Sequence, residues 1–527
     1  MSGAEDRERS WTALSRGFDV VVIGGGITGS AVARQAVRAG LRVALLEARD
    51  FAWGTSSRST KLVHGGLRYL PQMQLRLVRE SVRERQRLRV ESPDLVRPLP
   101  MVLLSPRAGL ARWGTRAAIG TYYALLKRRA PRRLASRDLG WLFPALRCDP
   151  GVCGLPYEEA HVDDARLVLR LVREAARAGA VTLNHARVTG LLRERGEVVG
   201  VAVEDALCGT KAAVSARAVV NATGVASDRL RAEVEGAPKM RPLRGSHLVF
   251  PAWRFPLAAG LSFQHPRDRR WVVALPWEDV TLFGTTDVDH PGAPEEEPSI
   301  TAGEFTYLIE ALQACFPALE LRPDDALSTF AGVRPVVSGG FADPSREPRD
   351  SWIGLERGLL TVMGGKLTTC RATAHAALAG LRPRIAEVAR LARDAPLLDA
   401  ATATLDGRLS SQVRSRLWGR YGAEAGSVVA AARPGELEPV GDTSTLWAEL
   451  RWAARAEAPG HLDDLLLRRV RLGLMLPEGG AGVLDRVREI CAEELGWNAE
   501  RWRAEAAAYA ALWQTHHSVP GPAAIPR

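Results

Sequence analysis

Cysteine is scarce in this sequence, and none of it is arranged for metal binding. The 527 residues include six cysteines, no two of which form a CxxC pair. The ten histidines do not cluster beside them to complete a zinc site. We therefore expect reduced, unpaired thiols and no resident metal, which is typical of a cytosolic protein.

Long apolar runs are also missing. The longest is about half of the roughly 20 residues that a membrane-spanning helix needs. Residues 1–17 are polar and mixed in charge, so we predict a polar N-terminal extension and no secretory signal there. These absences favour a cytoplasmic protein without a transmembrane segment. The length of 527 residues favours two or three domains, because a single hydrophobic core rarely extends over so many residues.

The whole chain has a net charge of +11. One basic stretch, residues 107–137, contains no acidic residue. Leucine, isoleucine, tryptophan and tyrosine alternate with the basic residues at helical spacing. One interpretation is a helix at the anionic headgroups of a membrane; the other is a solvated helix whose apolar side packs on its own domain. Nucleic-acid binding is more remote, because no recognised motif accompanies the charge, and we predict no nucleic-acid partner. The basic residues are Arg107, Arg112, Arg116, Lys127, Arg128, Arg129, Arg132, Arg133 and Arg137.

A nucleotide-binding pattern begins at residue 18. The apolar run 18–23 predicts a buried parallel strand, and the next six residues, Gly24 to Gly29, read G-x-G-x-x-G. A helix is predicted over 30–39 and a second strand over 41–46, which ends at Glu47.

Each part of this pattern has a physical task. Gly24 permits the tight turn, Gly26 lets the backbone approach a pyrophosphate, and Gly29 allows close packing of helix on strand. The helix N-terminus attracts the phosphates, and Glu47 accepts hydrogen bonds from the adenosine ribose. The pattern predicts a dinucleotide site but does not separate NAD from FAD.

The residues after this site indicate a flavin. Thr55, Ser56 and Ser57 offer hydroxyl donors, Lys61 adds a cation, and His64-Gly65-Gly66 allows close approach to a flat ring. The segment 55–70 (TSSRSTKLVHGGLRYL) resembles the FAD-dependent, aerobic-type glycerol-3-phosphate dehydrogenase family, within the D-amino-acid-oxidase-like flavoproteins. Six further motifs match that family in order, and they are HVDDARLV from His161, VNATG from Val220, RGSH from Arg244, GTTD from Gly284, AGVRP from Ala331 and GGKLTT from Gly364.

The resemblance implies an α/β fold. We expect a Rossmann-like FAD-binding domain over 18–394, interleaved with an inserted β-rich substrate domain. A C-terminal α-helical domain is expected over 395–517, with helices near 409–420, 445–457, 462–474 and 484–494, and a flexible tail over 518–527. The helical domain also suggests a homodimer, although packing is the simpler interpretation of its amphipathic helices.

The resemblance also implies the cofactor and the reaction. FAD is expected to accept a hydride from sn-glycerol 3-phosphate and to pass electrons to a membrane quinone, with the protein peripheral on the inner face of the cell membrane. An oxidase that uses oxygen is the nearest alternative, and a non-catalytic flavoprotein that binds nucleic acid is a remote one. The expected cofactor residues are Gly24, Gly26, Gly29, Glu47, Thr55, Ser56, Ser57, Lys61, His64, Gly65, Ala222, Gly224, Gly365, Lys366, Leu367 and Thr368.

A phosphorylated substrate requires several fixed cations, and arginine meets phosphate oxygens two at a time. By the family pattern, Arg334, Arg349 and Lys366 bind the phosphate, while Arg68 and Tyr69 close around the glycerol end. The reaction also needs a base whose pKa lies near the working pH, which favours histidine. His247 and His64 are both candidates, with Arg334 beside the reacting centre.

Two departures from the family pattern affect the site. Arg58 stands where the family usually has a small residue, so it should add charge beside the cofactor phosphates. Val225-Ala226 replaces the usual Pro-Trp, which should loosen one wall of the substrate pocket. The Pro/Glu-rich segment 289–298 is expected to be an exposed loop without chemical importance.

Overall fold

A computed structural model describes residues 3–67, 70, 74–105, 110–148, 152–343, 347, 350–401 and 404–521, without the side chains of 3–6 and 110–113. The strands are β1 (Phe18–Ile23), β2 (Val43–Leu46), β3 (Leu62–Val63), β4 (Arg97–Ser105), β5 (Cys153–His161), β6 (Val181–Leu183), β7 (Ala186–Glu194), β8 (Glu197–Asp205), β9 (Lys211–Asn221), β10 (Met240–Pro251), β11 (Gly260–Gln264), β12 (Trp271–Trp277), β13 (Val280–Gly284), β14 (Val288–Asp289), β15 (Ser328–Val337), β16 (Trp352–Glu356) and β17 (Leu359–Met363). The helices are α1 (Gly3–Ala13), α2 (Ile27–Arg38), α3 (Leu75–Glu91), α4 (Leu110–Leu125), α5 (Ser136–Leu142), α6 (Asp164–Arg177), α7 (Ser227–Glu233), α8 (Ala302–Cys315), α9 (Cys370–Gly380), α10 (Ser411–Tyr421), α11 (Ala425–Ala431), α12 (Trp447–Ala456), α13 (Leu472–Met475), α14 (Leu484–Leu495) and α15 (Ala499–His516).

The first sheet carries the predicted nucleotide fold. Its strands β17, β9, β1, β2 and β6 are parallel neighbours in that order, while β16 and the β7–β8 hairpin add antiparallel edges. Val20 and Val22 face a core that also contains residues of α2, α6 and α9, whereas Val21 and Ile23 face a second core on the opposite side. Both faces of β1 are therefore buried, which explains its unbroken apolar sequence.

The second sheet is largely antiparallel and comes from segments inserted between strands of the first. It contains β3, β4, β5 and β10 to β15. One face packs on α4 and the C-terminal helices, and the other packs on α5 and α8. Together with the C-terminal helices, these two sheets confirm the predicted fold class, whereas the domain boundaries stay predictions.

The helix boundaries differ from the predicted ones in an informative way. Helix α2 begins at Ile27, inside the glycine fingerprint, three residues before the predicted start. The segment predicted as one helix over 462–474 is a π-helical turn, Asp464–Arg469, followed by α13. Asn498 accepts a hydrogen bond from the amide of Arg501 and caps α15, which the apolar pattern alone did not predict.

The N-terminal extension contains helix α1, which packs on the body of the protein. Arg7 pairs with Asp205 at 2.8 Å and donates to the carbonyl of Asn184 at 2.9 Å. At the other end of the chain, Thr329 Oγ1 donates to the carbonyl of Ser518 at 3.1 Å. The remainder of the predicted tail, residues 522–527, lies outside the described residues.

The basic stretch forms α4 and the exposed segment after it. Ile119, Tyr122 and Tyr123 are buried in the core on the second sheet, as the packed-helix interpretation predicts. The basic residues at 127–129, 132, 133 and 137 are exposed, and the side chain of Trp141 is 78% exposed. Across the described residues, no helix combines the length and apolar character needed to cross a bilayer.

Buried ion pairs join the C-terminal helices to the rest of the chain. Arg420 lies 2.9 Å from both Asp163 and Glu449, and Arg166 pairs with Glu457 at 2.5 Å. Burial alone would raise the pKa of Asp163, but the charges of Arg471 and Arg420 lower it to about 2. Asp163 is therefore ionised throughout the neutral range, and folding stabilises its charged form.

We expect Asp163→Asn to lower the free energy of unfolding by about 3–5 kcal/mol, because buried arginines lose their partner. The folded-state pKa of Asp163 lies below the reference value of 3.8, so its stabilisation is present above about pH 4 and is lost as the pH falls towards about 2. Urea denaturation across this range measures both effects. Asp406→Asn, at an exposed pair with Arg408, is the control and should change stability little. Equal stability of Asp163→Asn and the unsubstituted protein would contradict the prediction.

Candidate active site

The carboxyl ends of four parallel strands open into one cavity of about 840 Å³. Gly24 follows β1, Glu47 follows β2, Ala222 follows β9 and Gly364 follows β17, and all four residues line the cavity. Ligands of open α/β sheets bind outside the carboxyl ends of the strands. The volume lies within the range of about 300–1,000 Å³ that is typical of ligand sites.

The glycine fingerprint shapes the wall of this cavity. Gly24 has a φ of +107°, and a Cβ there would lie 2.5 Å from the carbonyl oxygen of Ala222. A Cβ on Gly29 would lie 1.8 Å from the carbonyl oxygen of Gly24, so only glycine permits this packing. Gly26 caps α2 without a side chain, and Gly26 and Thr28 line the cavity. The positive end of α2 therefore meets the cavity, which suits a phosphate group.

Glu47 lies beside the glycine loop and is held there by hydrogen bonds. Its carboxylate accepts hydrogen bonds from the amides of Gly25 at 2.6 Å and Arg49 at 2.8 Å. Burial raises the pKa of Glu47, while these two hydrogen bonds oppose the rise. Each carboxylate oxygen has a second lone pair, so Glu47 can still accept from the hydroxyls of a ribose.

A 3₁₀ turn, Thr55–Ser57, closes the loop from the opposite side. Ser56 Oγ accepts a hydrogen bond from the amide of Ile27 at 2.9 Å, and Thr55 Oγ1 donates to the carbonyl of Val333 at 2.5 Å. Thr55 and Ser56 line the cavity. Glycine loop, helix terminus, ribose acid and hydroxyl turn together fit a dinucleotide such as FAD.

The second sheet supplies the other wall through its strand register. In the ladder between β10 and β15, His247 faces Phe330, Gly245 faces Gly332 and Leu243 faces Arg334. Side chains two residues apart share a face of a strand, so His247 and Arg334 project to the same side. Both line the cavity, together with His64, which follows β3 of the second sheet, and Lys366, which follows β17 of the first.

Arg334 is oriented by neighbours from two family motifs. Its guanidinium pairs with Asp287 at 2.9 Å, donates to Thr285 Oγ1 at 3.0 Å, and donates to the carbonyl of Thr286 at 3.2 Å. A Cβ on Gly245 would lie 2.2 Å from Arg334 Nη2. The glycine of RGSH therefore makes room for the guanidinium, and GTTD fixes its direction.

His247 is buried, with 1% of its surface exposed. Its Nε2 lies 2.9 Å from Thr60 Oγ1, and its ring stacks on Phe330 with centroids 4.6 Å apart. A Cβ on Gly284 would lie 2.5 Å from His247 Cδ2, so this glycine gives the ring its space. Burial, then the charges of Arg334 and Lys61, lower the pKa of His247 well below 6.5. The imidazole is therefore neutral near pH 7 and can accept a proton.

Comparison with known proteins agrees with this geometry. Residues 19–379 match the family described as FAD dependent oxidoreductase, and residues 371–502 match the C-terminal domain of alpha-glycerophosphate oxidase. A glycerol-3-phosphate dehydrogenase of Mycobacterium leprae is 35% identical over 96% of this chain and 90% of its own length. The chain belongs to the FAD-dependent glycerol-3-phosphate dehydrogenase family.

Further relatives of this family cover the chain to different extents. The aerobic glycerol-3-phosphate dehydrogenase of Bacillus subtilis is 37% identical over 72% of this chain and 70% of its own length. The crystal structure of the Bacillus halodurans glycerol-3-phosphate dehydrogenase complexed with FAD has a TM-score of 0.74 and 28% identity, and the match covers 98% of this chain and 97% of that one. The expected cofactor, FAD, is confirmed by the family.

Most of the expected cofactor residues lie at the cavity, and a few lie behind it. Gly29, Ser57, Lys61 and Gly65 are outside its described lining, and Gly65 donates through its amide to Glu159 at 2.6 Å. The expected residues that line the cavity are Gly24, Gly26, Glu47, Thr55, Ser56, His64, Ala222, Gly224, Gly365, Lys366, Leu367 and Thr368.

Lys61, which was expected among the cofactor-binding residues, lies behind the wall of the cavity. Its Nζ is fully buried and donates to Asp164 at 2.8 Å and to the carbonyl of Ser57 at 2.5 Å. Burial, then the charge of Arg471, lower the pKa of Lys61 to about 7. The family resemblance located this lysine near the site, but only the fold shows that Asp164 holds it.

Two further expectations need correction. Arg58 does not add a free charge beside the cofactor, because its guanidinium pairs with Glu297 and packs on Trp53. The segment 289–298 was expected to be unimportant, yet several of its residues line the cavity, and Glu295 of this segment pairs with Arg229 at 2.9 Å. The loop is therefore part of the wall of the cofactor site.

Three of the expected substrate residues, Arg68, Tyr69 and Arg349, lie outside the described residues. Sequence reasoning assigned no role to Thr60, Asp287, Gly245 or Gly284, although these residues orient His247 and Arg334. All four lie within segments that match the family, which was the available signal. Their tasks depend on cross-strand neighbours that sequence spacing does not reveal.

Proposed function

We propose that this protein oxidises sn-glycerol 3-phosphate to dihydroxyacetone phosphate and passes the electrons to a membrane quinone. The observation that carries the substrate assignment is the fixed guanidinium of Arg334, which lines the cavity beside His247 and Lys366. A phosphomonoester carries close to two negative charges, and such cations match it. The family's relatives include glycerol-3-phosphate dehydrogenases with FAD, which supports the same substrate.

One cavity can take both the nucleotide and the substrate. Gly24, Gly26 and the N-terminus of α2 would hold the pyrophosphate of FAD, and Glu47 would hold its ribose. FAD, when bound, supplies a two-electron acceptor for the hydride of the C2 carbon. We assign phosphate binding to Arg334 and Lys366, together with Arg68, Tyr69 and Arg349 by the family pattern.

We propose that His247 is the general base that accepts the proton of the C2 hydroxyl. The imidazole is neutral because its pKa is depressed, so one of its ring nitrogens has a lone pair that can accept the proton. Thr60 also lines the cavity and contacts Nε2, which orients the ring. His64, which lines the same cavity, is the alternative base.

The proposal that a quinone accepts the electrons rests on the apolar part of the cavity lining and on the basic surface after α4. Leu67, Leu103, Ala118, Ile119 and Val273 line the cavity and belong to one apolar cluster on the second sheet. Helix α4 contributes two of them, and the exposed basic segment 127–137 follows that helix. An apolar lining beside exposed arginines and Trp141 suits a lipid-soluble quinone and peripheral attachment to the inner face of the cell membrane.

Oxygen is the second candidate acceptor, because residues 371–502 match a domain named for an alpha-glycerophosphate oxidase. A homodimer through the C-terminal helices stays a prediction.

Arg334→Lys should raise the Michaelis constant for glycerol 3-phosphate by about 10- to 100-fold, because each charge-assisted hydrogen bond contributes about 1.5–3 kcal/mol. Lysine retains the charge beside Asp287 but loses the planar fork. Steady-state turnover with an excess of an electron acceptor, recorded over a range of glycerol 3-phosphate concentrations, measures the constant. Arg267→Lys, at an exposed pair with Glu310, is the control and should behave as the unsubstituted protein. A yellow protein whose flavin is not reduced by glycerol 3-phosphate would refute the proposed substrate.

His247→Asn should slow anaerobic flavin reduction by about 10²- to 10⁴-fold, as expected for loss of a general base. Because the pKa of His247 lies well below 6.5, the neutral form persists as the pH falls through 6.5. The rate should therefore stay level to that pH and decline only at lower values. Stopped-flow reduction across this range measures the profile, with His64→Asn as the comparison. A full rate in His247→Asn and a collapse in His64→Asn would assign the base to His64 instead.

Reduced enzyme should be reoxidised faster by a quinone in vesicles of anionic phospholipid than by air. Substitution of Arg128, Arg129, Arg132 and Arg133 by glutamine should slow reoxidation by the vesicles, because the attraction to the anionic surface is lost. The same variant should leave anaerobic reduction by substrate unchanged. Mixing reduced enzyme with either acceptor and timing the return of flavin absorbance measures both rates. Faster reoxidation by air would favour the oxidase.

A further inference from the structure

The segment Thr55–Lys61 is bonded to three separate parts of the site. Ser56 Oγ accepts from the amide of Ile27 at the start of α2, and Thr55 Oγ1 donates to the carbonyl next to Arg334 in β15. Thr60 Oγ1 lies 2.9 Å from His247 Nε2. A displacement of this short segment would therefore alter the cofactor loop and the catalytic wall together.

The same segment is anchored from behind by buried charges. The carbonyl oxygen of Ser57 accepts from Lys61 Nζ at 2.5 Å and from Arg471 Nη2 at 2.8 Å. Asp164 accepts from the amide and hydroxyl of Ser59, at 2.9 and 2.7 Å, and from Lys61. Arg471 lies 3.4 Å from the Asp164 carboxylate, and only 2% of its side chain is exposed. One buried guanidinium from the C-terminal region thus completes the anchor.

Arg468 and Arg469, which precede Arg471 in the C-terminal region, anchor the loop that follows β2 and begins at Glu47. Asp50 lies three residues after Glu47, and its carboxylate accepts from Arg469 at 2.5 and 2.7 Å and from Arg468 at 2.6 Å. Three arginines of the C-terminal region, Arg468, Arg469 and Arg471, therefore reach both loops that line the nucleotide end of the cavity. Helix packing alone would not require charged groups at these buried positions, because they carry a desolvation penalty.

We propose that Arg471 is a positioning residue for FAD. From the C-terminal helical region, it fixes the backbone of Thr55–Lys61, the segment that lines the expected cofactor site. Arg471 has a left-handed backbone, with a φ of +66°, which is unusual for a residue with a side chain. Its guanidinium is tied to Ser57, Asp164 and the carbonyl of Leu467, and these bonds hold it there. The inference rests on FAD binding and does not depend on the identity of the substrate.

The test compares the release of FAD from purified holoproteins that differ at one buried arginine. Arg471→Gly keeps the left-handed backbone and removes the guanidinium, and Arg471→Lys keeps the charge and removes the fork. Arg451→Met is the matched control, because Arg451 is equally buried at 3% but pairs only with Glu436, Glu493 and Glu494 of the C-terminal region among the described residues. Flavin fluorescence after dilution measures the release rate, and thermal unfolding of the apoprotein measures stability.

We expect FAD release to accelerate by about tenfold or more in Arg471→Gly and by a smaller factor in Arg471→Lys. Arg451→Met should lower the melting temperature but release FAD within about twofold of the unsubstituted rate. Unchanged release in both Arg471 variants would overturn the proposal. Equal acceleration in Arg451→Met would also overturn it, because general destabilisation would then explain the effect. Substrate is absent throughout, so a wrong substrate assignment leaves the result interpretable.

Discussion

Four parallel strands must end at one edge of the first sheet, and this constraint decides where the ligand binds. The turns after β1, β2, β9 and β17 converge because parallel strands end at the same edge of the sheet. Glycines and small residues follow three of these strands, β1, β9 and β17, so the backbone forms much of the cavity wall there. A cofactor laid across this edge meets the positive end of α2 and the carboxylate of Glu47 without any rearrangement of the sheet.

The pairing register of the second sheet determines where His247 and Arg334 lie in the cavity. Antiparallel pairing of β10 with β13 and β15 brings His247 opposite Gly284 and Phe330. A shift by one residue would turn His247 into the core on the other face. The glycines at 245 and 284 are therefore as important to the site as the charged residues, since each leaves the volume that Arg334 or His247 occupies.

Charge is distributed between two environments in this protein. At the surface, the basic segment after α4 remains solvated and available to an anionic partner. In the interior, arginines from the C-terminal helices pair with Asp50, Asp163 and Asp164, which belong to the nucleotide fold. Buried pairs of this kind specify one arrangement of the two regions, because any other would leave a charge without a partner. The C-terminal region is thus joined to the cofactor loops by buried ion pairs as well as by apolar contacts.

The sequence by itself determined the nucleotide fold and the family, and most of the cofactor residues that it predicted line the cavity. These features depend on local patterns, such as the apolar strand followed by G-x-G-x-x-G and Glu47, or the GVRP motif that carries Arg334. Only the tertiary structure decided the partners of the charged residues, because an ion pair between Lys61 and Asp164, or between Arg58 and Glu297, joins residues far apart in the chain. The same reason explains why the loop 289–298 was misjudged: its composition indicates exposure, whereas its position against the cavity follows from how the second sheet packs on the first.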